Sequence, residues 1–135
     1  MRALDRLGQY KDLGLFIIRL GLGIMFMLHG VPKLMGGPEL WYKLGGAMQE
    51  LGVYSIPTFW GFMAAAAEGL GGLFLVLGFC FRPACLFMAL TMAVAVKKHL
   101  GGGEGLMAAS HALEDGIVFL GLLFVGPGNF AIERR

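Results

Sequence analysis

Long apolar stretches, separated by short polar or glycine-rich segments, run through the whole chain. Four stretches approach the length of about 20 mostly apolar residues that a membrane-spanning helix needs; they cover residues 13–34, 57–80, 83–99 and 106–126. The fourth is strictly apolar only over residues 116–125, so it spans a membrane only if its earlier polar residues are buried against other helices. The pattern predicts an all-α, integral membrane four-helix bundle that forms one domain over residues 1–135.

The composition supports a membrane protein over a soluble one. Hydrophobic residues make up 57% of the chain, charged residues only 15%, and the mean hydropathy is +0.73. A soluble domain of this size needs more polar surface. The net charge of +2 is small and no basic stripe is present, so we expect the lipid bilayer as a partner and no nucleic acid.

The charges flanking the stretches predict the orientation. Four spans place both termini on one side, which carries six cations against four on the other. Cytoplasmic loops are enriched in lysine and arginine, so the termini are predicted to be cytoplasmic. The six are Arg2, Arg6, Lys11, Arg82, Arg134 and Arg135; the four are Lys33, Lys43, Lys97 and Lys98.

The connections between the stretches differ in character. The turn at 81–83 is short, so the second and third spans are predicted to be antiparallel neighbours. Residues 36–56 carry aromatic and leucine residues near helical spacing, typical of an amphipathic segment in the headgroup region, with a break at Gly45–Gly46. The glycine-rich connection 101–105 is predicted to be flexible. Cys80 and Cys85 do not form a C-x-x-C pair and are expected to be reduced thiols.

Glu68 lies in the middle of the second apolar stretch. Burial of a carboxylate in the bilayer costs about 2.5–3.5 kcal/mol even on permissive insertion scales, so such residues are functional candidates by default. Small residues recur at four-residue steps beside it, as in Ala64-Glu68-Gly72, and such rows pack helices closely. We therefore expect Glu68 to face the bundle interior, about 16 Å below the outer end of its helix, with Arg19, His29 or Lys33 as its partner.

Further ionisable residues fall in the same outer half of the predicted bundle. His111 lies three and four residues before Glu114 and Asp115, so the three share one helical face. Histidine paired with a carboxylate is common equipment for proton transfer. The plainer interpretation is structural, in which a buried pair only locks the bundle and the lysines extend to the headgroups. With His29, Lys33 and His99, these residues predict one shared cluster with Glu68 at its floor.

A metal or haem site is a weaker interpretation. Carboxylate-bridged di-iron bundles carry Glu-x-x-His on two helices, whereas this chain has only the reversed His111-x-x-Glu114, once. No histidine spacing demands haem. We therefore assign no residue as a metal ligand. The expected cofactor is an organic molecule, and haem or a metal ion is the alternative.

A series of short motifs resembles the DoxX family of small bacterial membrane proteins. The matching pieces, in order, are Arg19-Leu20-Gly21-Leu22-Gly23, His29-Gly30-x-x-Lys33-Leu34, Glu68-x-x-Gly71-Gly72, Leu77-Gly78, the turn at Arg82, His99, Glu114 and Gly126-Pro127-Gly128. The resemblance implies a four-helix protein of the bacterial inner membrane in a redox setting, because the family's name links it to the membrane subunit of a thiosulfate:quinone oxidoreductase. It does not extend to His111 and Asp115.

Together these observations predict a membrane component of a quinone-linked oxidoreductase, with an outer-half polar pocket for a quinone or a small anionic reductant. The predicted catalytic residues are Glu68, His29, His99 and Glu114; the predicted substrate-binding residues are Arg19, Lys33, His111 and Asp115. Because the sequence supplies no electron carrier, a partner subunit or a bound cofactor is implied, and a second copy of the chain is the other expected partner. The alternatives are a carrier or channel for protons or a small solute, and a scaffold for a soluble redox protein.

Overall fold

The computed structural model describes residues 2–101, 103 and 105–132, and over these residues it contains helices and no strands. The elements are α1 (Arg2–Asp5), a 3-10 turn (Arg6–Tyr10), α2 (Lys11–Met35), α3 (Pro38–Gly45), a second 3-10 turn (Gly46–Leu51), α4 (Pro57–Leu77), α5 (Phe81–Gly101) and α6 (Leu106–Val125). Arg134 and Arg135 of the charge count, and Gly102 and Glu104 of the glycine-rich connection, lie outside the described residues.

Four helices of the described part, α2, α4, α5 and α6, are long and apolar enough to cross a membrane. Their bounds agree with the predicted spans to within three residues at each end. In the fourth span the expected burial of the polar residues is wrong for His111 and Glu114, which are exposed, whereas Asp115 is half-buried. The bundle has one end that carries α3 and an opposite end that carries the chain termini, here called the α3 end and the terminal end. The side of the membrane on which the termini lie stays a prediction.

Helices α2 and α4 pack through glycine. A Cβ atom on Gly30 would collide with the backbone of Gly69, and one on Gly23 would collide with the carbonyl of Gly72. The row of small residues therefore brings the two backbones into direct contact, as the four-residue spacing predicted. Helices α5 and α6 form the second close pair.

Large apolar side chains join the two pairs. The ring of Phe26 on α2 meets the ring of Phe119 on α6 edge to face, with centroids 5.0 Å apart. Leu75, Phe81 and Met88 complete the fully buried centre of the cluster around these rings. The core thus lies between helix pairs, whereas glycine fills the contact within the α2–α4 pair.

The segment between α2 and α4 forms a roof at the α3 end. Its helix breaks at Gly45–Gly46, as predicted, and continues as a 3-10 turn. A Cβ atom on Gly45 would collide with the backbone of Pro57, and one on Gly61 would collide with the carbonyl of Trp41. The Trp41 Nε1–H also donates a hydrogen bond to the Lys33 carbonyl at 2.9 Å. The roof is therefore fixed to both α2 and α4.

Arg19 holds the terminal end together. Its guanidinium is 1% exposed and donates to the carbonyls of Leu75 at 2.9 Å, Val76 at 3.0 Å, Pro127 at 3.3 Å and Phe130 at 2.6 Å. The first two belong to the last turn of α4, where carbonyls lack helical partners and a cation is favoured. Arg19 therefore caps α4 and binds the chain that follows α6.

The residues after α6 fold back across the terminal end. Asn129 Nδ2 donates to the Asp12 carboxylate at 2.7 Å, and the Ile132 N–H donates to the Leu77 carbonyl at 3.1 Å. Arg82 repeats the capping on the other helix pair, where its Nε–H donates to the Leu123 carbonyl near the end of α6 at 3.0 Å. Both pairs are thus closed at this end by an arginine.

The glycine contact predicts a sharp difference between two substitutions in α2. Gly30→Ala should destabilise the protein by about 1–3 kcal/mol, because its new methyl group overpacks the α4 backbone. Gly21→Ala is the matched control, because nothing lies within 4 Å of its Cβ position; it should be neutral or stabilising by up to about 1 kcal/mol. Thermal unfolding in detergent micelles measures both, and equal effects would contradict the packing.

Replacement of Arg19 should loosen the terminal end. Arg19→Lys keeps the charge but loses the planar guanidinium that reaches several carbonyls. We therefore expect the free energy of unfolding to fall by about 2 kcal/mol or more. Limited proteolysis should also cut residues 126–132 faster. Arg6→Lys, on an exposed residue, is the control and should match the parent protein in both measurements.

Candidate functional site

Glu68 forms an ion pair with Lys33. The Lys33 Nζ lies 2.9 Å from Glu68 Oε2 and 3.2 Å from Oε1, so the ammonium bridges both carboxylate oxygens. The Glu68 side chain is 11% exposed and the Lys33 side chain 35% exposed. Of the three predicted partners the structure selects Lys33, whereas the Arg19 guanidinium donates to carbonyls at the terminal end.

The glycine contact explains why Lys33 reaches this carboxylate. Gly30 packs directly on Gly69, which sets the last turn of α2 one turn nearer the α3 end than Glu68. Side chains of a helix lean toward its N-terminus, so the Lys33 side chain descends toward Glu68.

The ion pair lines a cavity of about 420 Å³ at the α3 end. Helix α4 and helix α5 form its walls and the roof segment covers it. Its lining residues are Lys33, Leu44, Ala47, Met48, Trp60, Met63, Ala64, Ala67, Glu68, Phe87, Leu90, Thr91, Val94, Ala95, Lys98 and His99. Three predicted site residues, Lys33, Glu68 and His99, therefore meet at one cavity.

Trp60 supplies a polar group that the sequence did not single out for the site. Its indole Nε1–H is buried and has no hydrogen-bond partner within the described residues. A buried donor without an acceptor costs about 1–3 kcal/mol, so a ligand acceptor that reached this N–H would be favoured. In the sequence, only the lone indole in an otherwise aliphatic helix face could have marked Trp60.

Two further polar residues of the wall were also missed. Lys98 lies beside His99 on the last turns of α5, and its expected role was extension to the headgroups. Thr91 donates its hydroxyl hydrogen to the Phe87 carbonyl at 2.8 Å, which leaves its oxygen able to accept. The cavity thus combines cations, a carboxylate, an imidazole and an indole N–H among apolar side chains.

Four of the five remaining predicted site residues, all except Arg19, form a separate group between α2 and α6. Asp115 is half-buried and lies within the electrostatic reach of His111, Glu114 and His29, which are exposed on the bundle surface. His29 and Asp115 each lie about one turn nearer the α3 end than the Phe26–Phe119 pair. None of these four residues lines the cavity, so the structure divides the predicted cluster into two.

The described residues hold no group of three or more His, Cys, Asp or Glu side chains placed to bind a metal ion. Cys80 and Cys85 are free thiols, and Cys85 is buried in the core. The wall of the polar cavity carries hydrogen-bond donors in Lys33 and Lys98 and a proton-accepting carboxylate in Glu68.

Comparisons with known proteins agree with this architecture. Inner membrane protein YqjF of Escherichia coli is 30% identical over 130 residues, which are 93% of this chain and 94% of that protein. Inner membrane protein YphA of the same organism is 28% identical over 138 residues, 95% of this chain and 94% of that protein. The protein named "Putative oxidoreductase CatD" of Bacillus subtilis is 29% identical over 85 residues, 63% of this chain and 58% of CatD. No solved structure matches significantly.

The family model that matches is DoxX, over residues 14–100. Together with four apolar helices and relatives from the inner membrane, this match identifies a multi-pass inner membrane protein. Since the matched residues include α2 to α5, well over half of the sequence, the chain belongs to the DoxX family.

Proposed function

We propose that the protein is the membrane component of a quinone-linked oxidoreductase, and that its cavity binds the quinone head group. The observation that carries this proposal is the Lys33–Glu68 ion pair in the wall of a membrane-level cavity. Ionisable groups at this level are costly and mark sites that use them. A cavity of about 420 Å³ is within the range of small-molecule sites, which are mostly apolar with a few placed polar groups.

The polar groups of the wall match the chemistry of a quinone. Its two carbonyl oxygens accept hydrogen bonds, which the unpartnered Trp60 Nε1–H and the Lys33 ammonium can donate. Reduction to the hydroquinone adds two electrons and two protons, and oxidation returns them. Glu68 and His99 supply or take up these protons at the quinone oxygens, while the Lys33 ammonium holds the carboxylate in place by bridging both of its oxygens.

The electrons require a second component. The protein side chains of the cavity carry no redox group, so the electron donor is a partner subunit or a small reductant that meets the quinone here. The match to a protein named as an oxidoreductase supports a redox role over a purely structural one. Lys33 and Lys98 also suit an anionic reductant, because both cations lie at the cavity wall.

The carrier or channel alternative fits the wall less well. A conduction path needs polar groups toward both ends of the bundle. The charged residues of the cavity lie at the α3 end, and Arg19 at the terminal end is occupied by four carbonyls. This distribution favours a binding site at one end of the bundle over a path that runs through it.

Loss of the cavity carboxylate should weaken quinone binding. Glu68→Gln keeps the shape but removes the charge that orients Lys33 and the proton acceptor, so we expect at least about a tenfold rise in Kd, or 1.4 kcal/mol. Quenching of the combined fluorescence of Trp41 and Trp60 by a short-chain benzoquinone in micelles measures Kd. Glu39→Gln, on the exposed first turn of α3, should leave it unchanged. Equal Kd values for the parent, Glu68→Gln and Glu39→Gln, or no binding by the parent, would contradict the proposal.

The ion pair also allows stability to be separated from function. Lys33→Met alone should destabilise the fold by about 1–3 kcal/mol, because it leaves Glu68 buried without its cation; the cost is reduced since Lys33 is one-third exposed. The double substitution Lys33→Met with Glu68→Leu should recover the unfolding temperature but not quinone binding. If the double variant recovers both the unfolding temperature and quinone binding, the pair serves only the fold, and the scaffold interpretation is correct.

A further inference from the structure

A second cavity continues the first along the contact between α4 and α5. Its volume is about 300 Å³, and Met63, Ala67 and Phe87 line both cavities. The residues that line the second cavity are Met63, Ala66, Ala67, Leu70, Gly71, Phe74, Cys80, Pro83, Ala84 and Phe87. We call this second cavity the α4–α5 cleft.

The chemistry of the cleft differs from that of the first cavity. Apart from the thiol of Cys80, its side chains are hydrocarbon or thioether groups, and no charged residue lines it. The composite site therefore changes from polar at the α3 end to apolar toward the terminal end. From Trp60 to Phe74 it extends about 21 Å along α4, which is longer than any quinone ring.

Both cavities open sideways between α4 and α5, and the roof covers only the α3 end of the polar cavity. Leu70 and Phe87 on the wall of the cleft are 49% and 53% exposed, and in a membrane such side chains face lipid. At the other end the roof lies over the polar cavity, where Leu44 and Met48 line it. The glycine contacts Gly45–Pro57 and Gly61–Trp41 hold that roof against α4. The polar cavity shares the open side through Phe87 and Leu90, which are 53% and 54% exposed, so the composite site opens toward the bilayer.

We propose that the ligand is a quinone with a long isoprenoid chain, which enters from the bilayer and lays its chain in the α4–α5 cleft. This inference rests on the proposed function and narrows its substrate class, because a water-soluble quinone would leave the cleft empty. Continuity of the two cavities through Met63, Ala67 and Phe87 aligns the chain with the head group at Glu68. Each apolar carbon buried in the cleft adds affinity through the hydrophobic effect.

Binding of two benzoquinones with the same ring tests this inference. One carries no side chain and the other carries a chain of two isoprene units; both are titrated against the full-length protein in micelles. Ala66→Phe fills the cleft, since Ala66 lines the cleft but not the polar cavity. We expect the parent protein to bind the prenylated quinone at least about tenfold more tightly, and Ala66→Phe to lose this advantage while it keeps the affinity for the bare ring.

Ala93→Phe is the control, because Ala93 is exposed on α5 and lines neither cavity; it should retain the tenfold advantage. Partition of the longer quinone into micelles is the same for all variants, so the decisive measurement is the change in the ratio of the two affinities between the parent and Ala66→Phe. Ala66→Leu should give an intermediate loss, which separates filling of the cleft from a failure of Ala66→Phe to fold.

The outcomes separate this inference from the proposed function. If the parent binds both quinones with equal affinity and Ala66→Phe changes neither, the cleft does not hold the chain, although the quinone site stands. If the parent binds neither quinone, the proposed function itself fails. A phospholipid retained by the parent and lost from Ala66→Phe in native mass spectrometry, without any dependence on quinone chain length, would overturn the inference in favour of an acyl chain.

Discussion

The backbone contact between α2 and α4 sets the geometry on which the site depends. Gly30 lies on Gly69 with no room for a side chain, and this contact fixes both the separation and the register of the two helices. The register places Lys33 where its descending side chain meets Glu68. In lipid, apolar burial cannot drive helices together, so close backbone packing takes over that role. Packing and the buried ion pair are therefore two consequences of the same row of small residues.

The helices and the inward face of Glu68 could be predicted from the sequence because both depend on local patterns, namely apolar length and four-residue spacing of small residues. The choice among Arg19, His29 and Lys33 could not, because it depends on the register between two helices. Arg19 shows the limit most clearly. Its acceptors are backbone carbonyls of α4 and of the segment after α6, and a carbonyl has no signature in the sequence.

The division of the predicted cluster has a similar cause. The second group lies at the same depth in the membrane as the cavity; it consists of His29, His111, Glu114 and Asp115. Distance along each helix predicts only this depth. Whether two residues at one level meet depends on the direction in which each helix face points around the bundle. Helix α2 presents Lys33 toward α4 and His29 toward α6, so neighbouring turns of one helix serve different groups.

The composition of the cavity wall supports a role for the Lys33–Glu68 pair beyond holding α2 against α4. A buried ion pair contributes little stability, and an apolar pair of similar volume often serves a fold as well or better. The glycine contacts already hold α2 to α4, and the roof is fixed by contacts of its own. With packing provided by other residues, the costly pair lines a cavity, and so does Trp60, whose indole N–H has no acceptor in the part of the chain that the structure describes. A wall with charge at one end and hydrocarbon at the other is matched by a ligand with the same division.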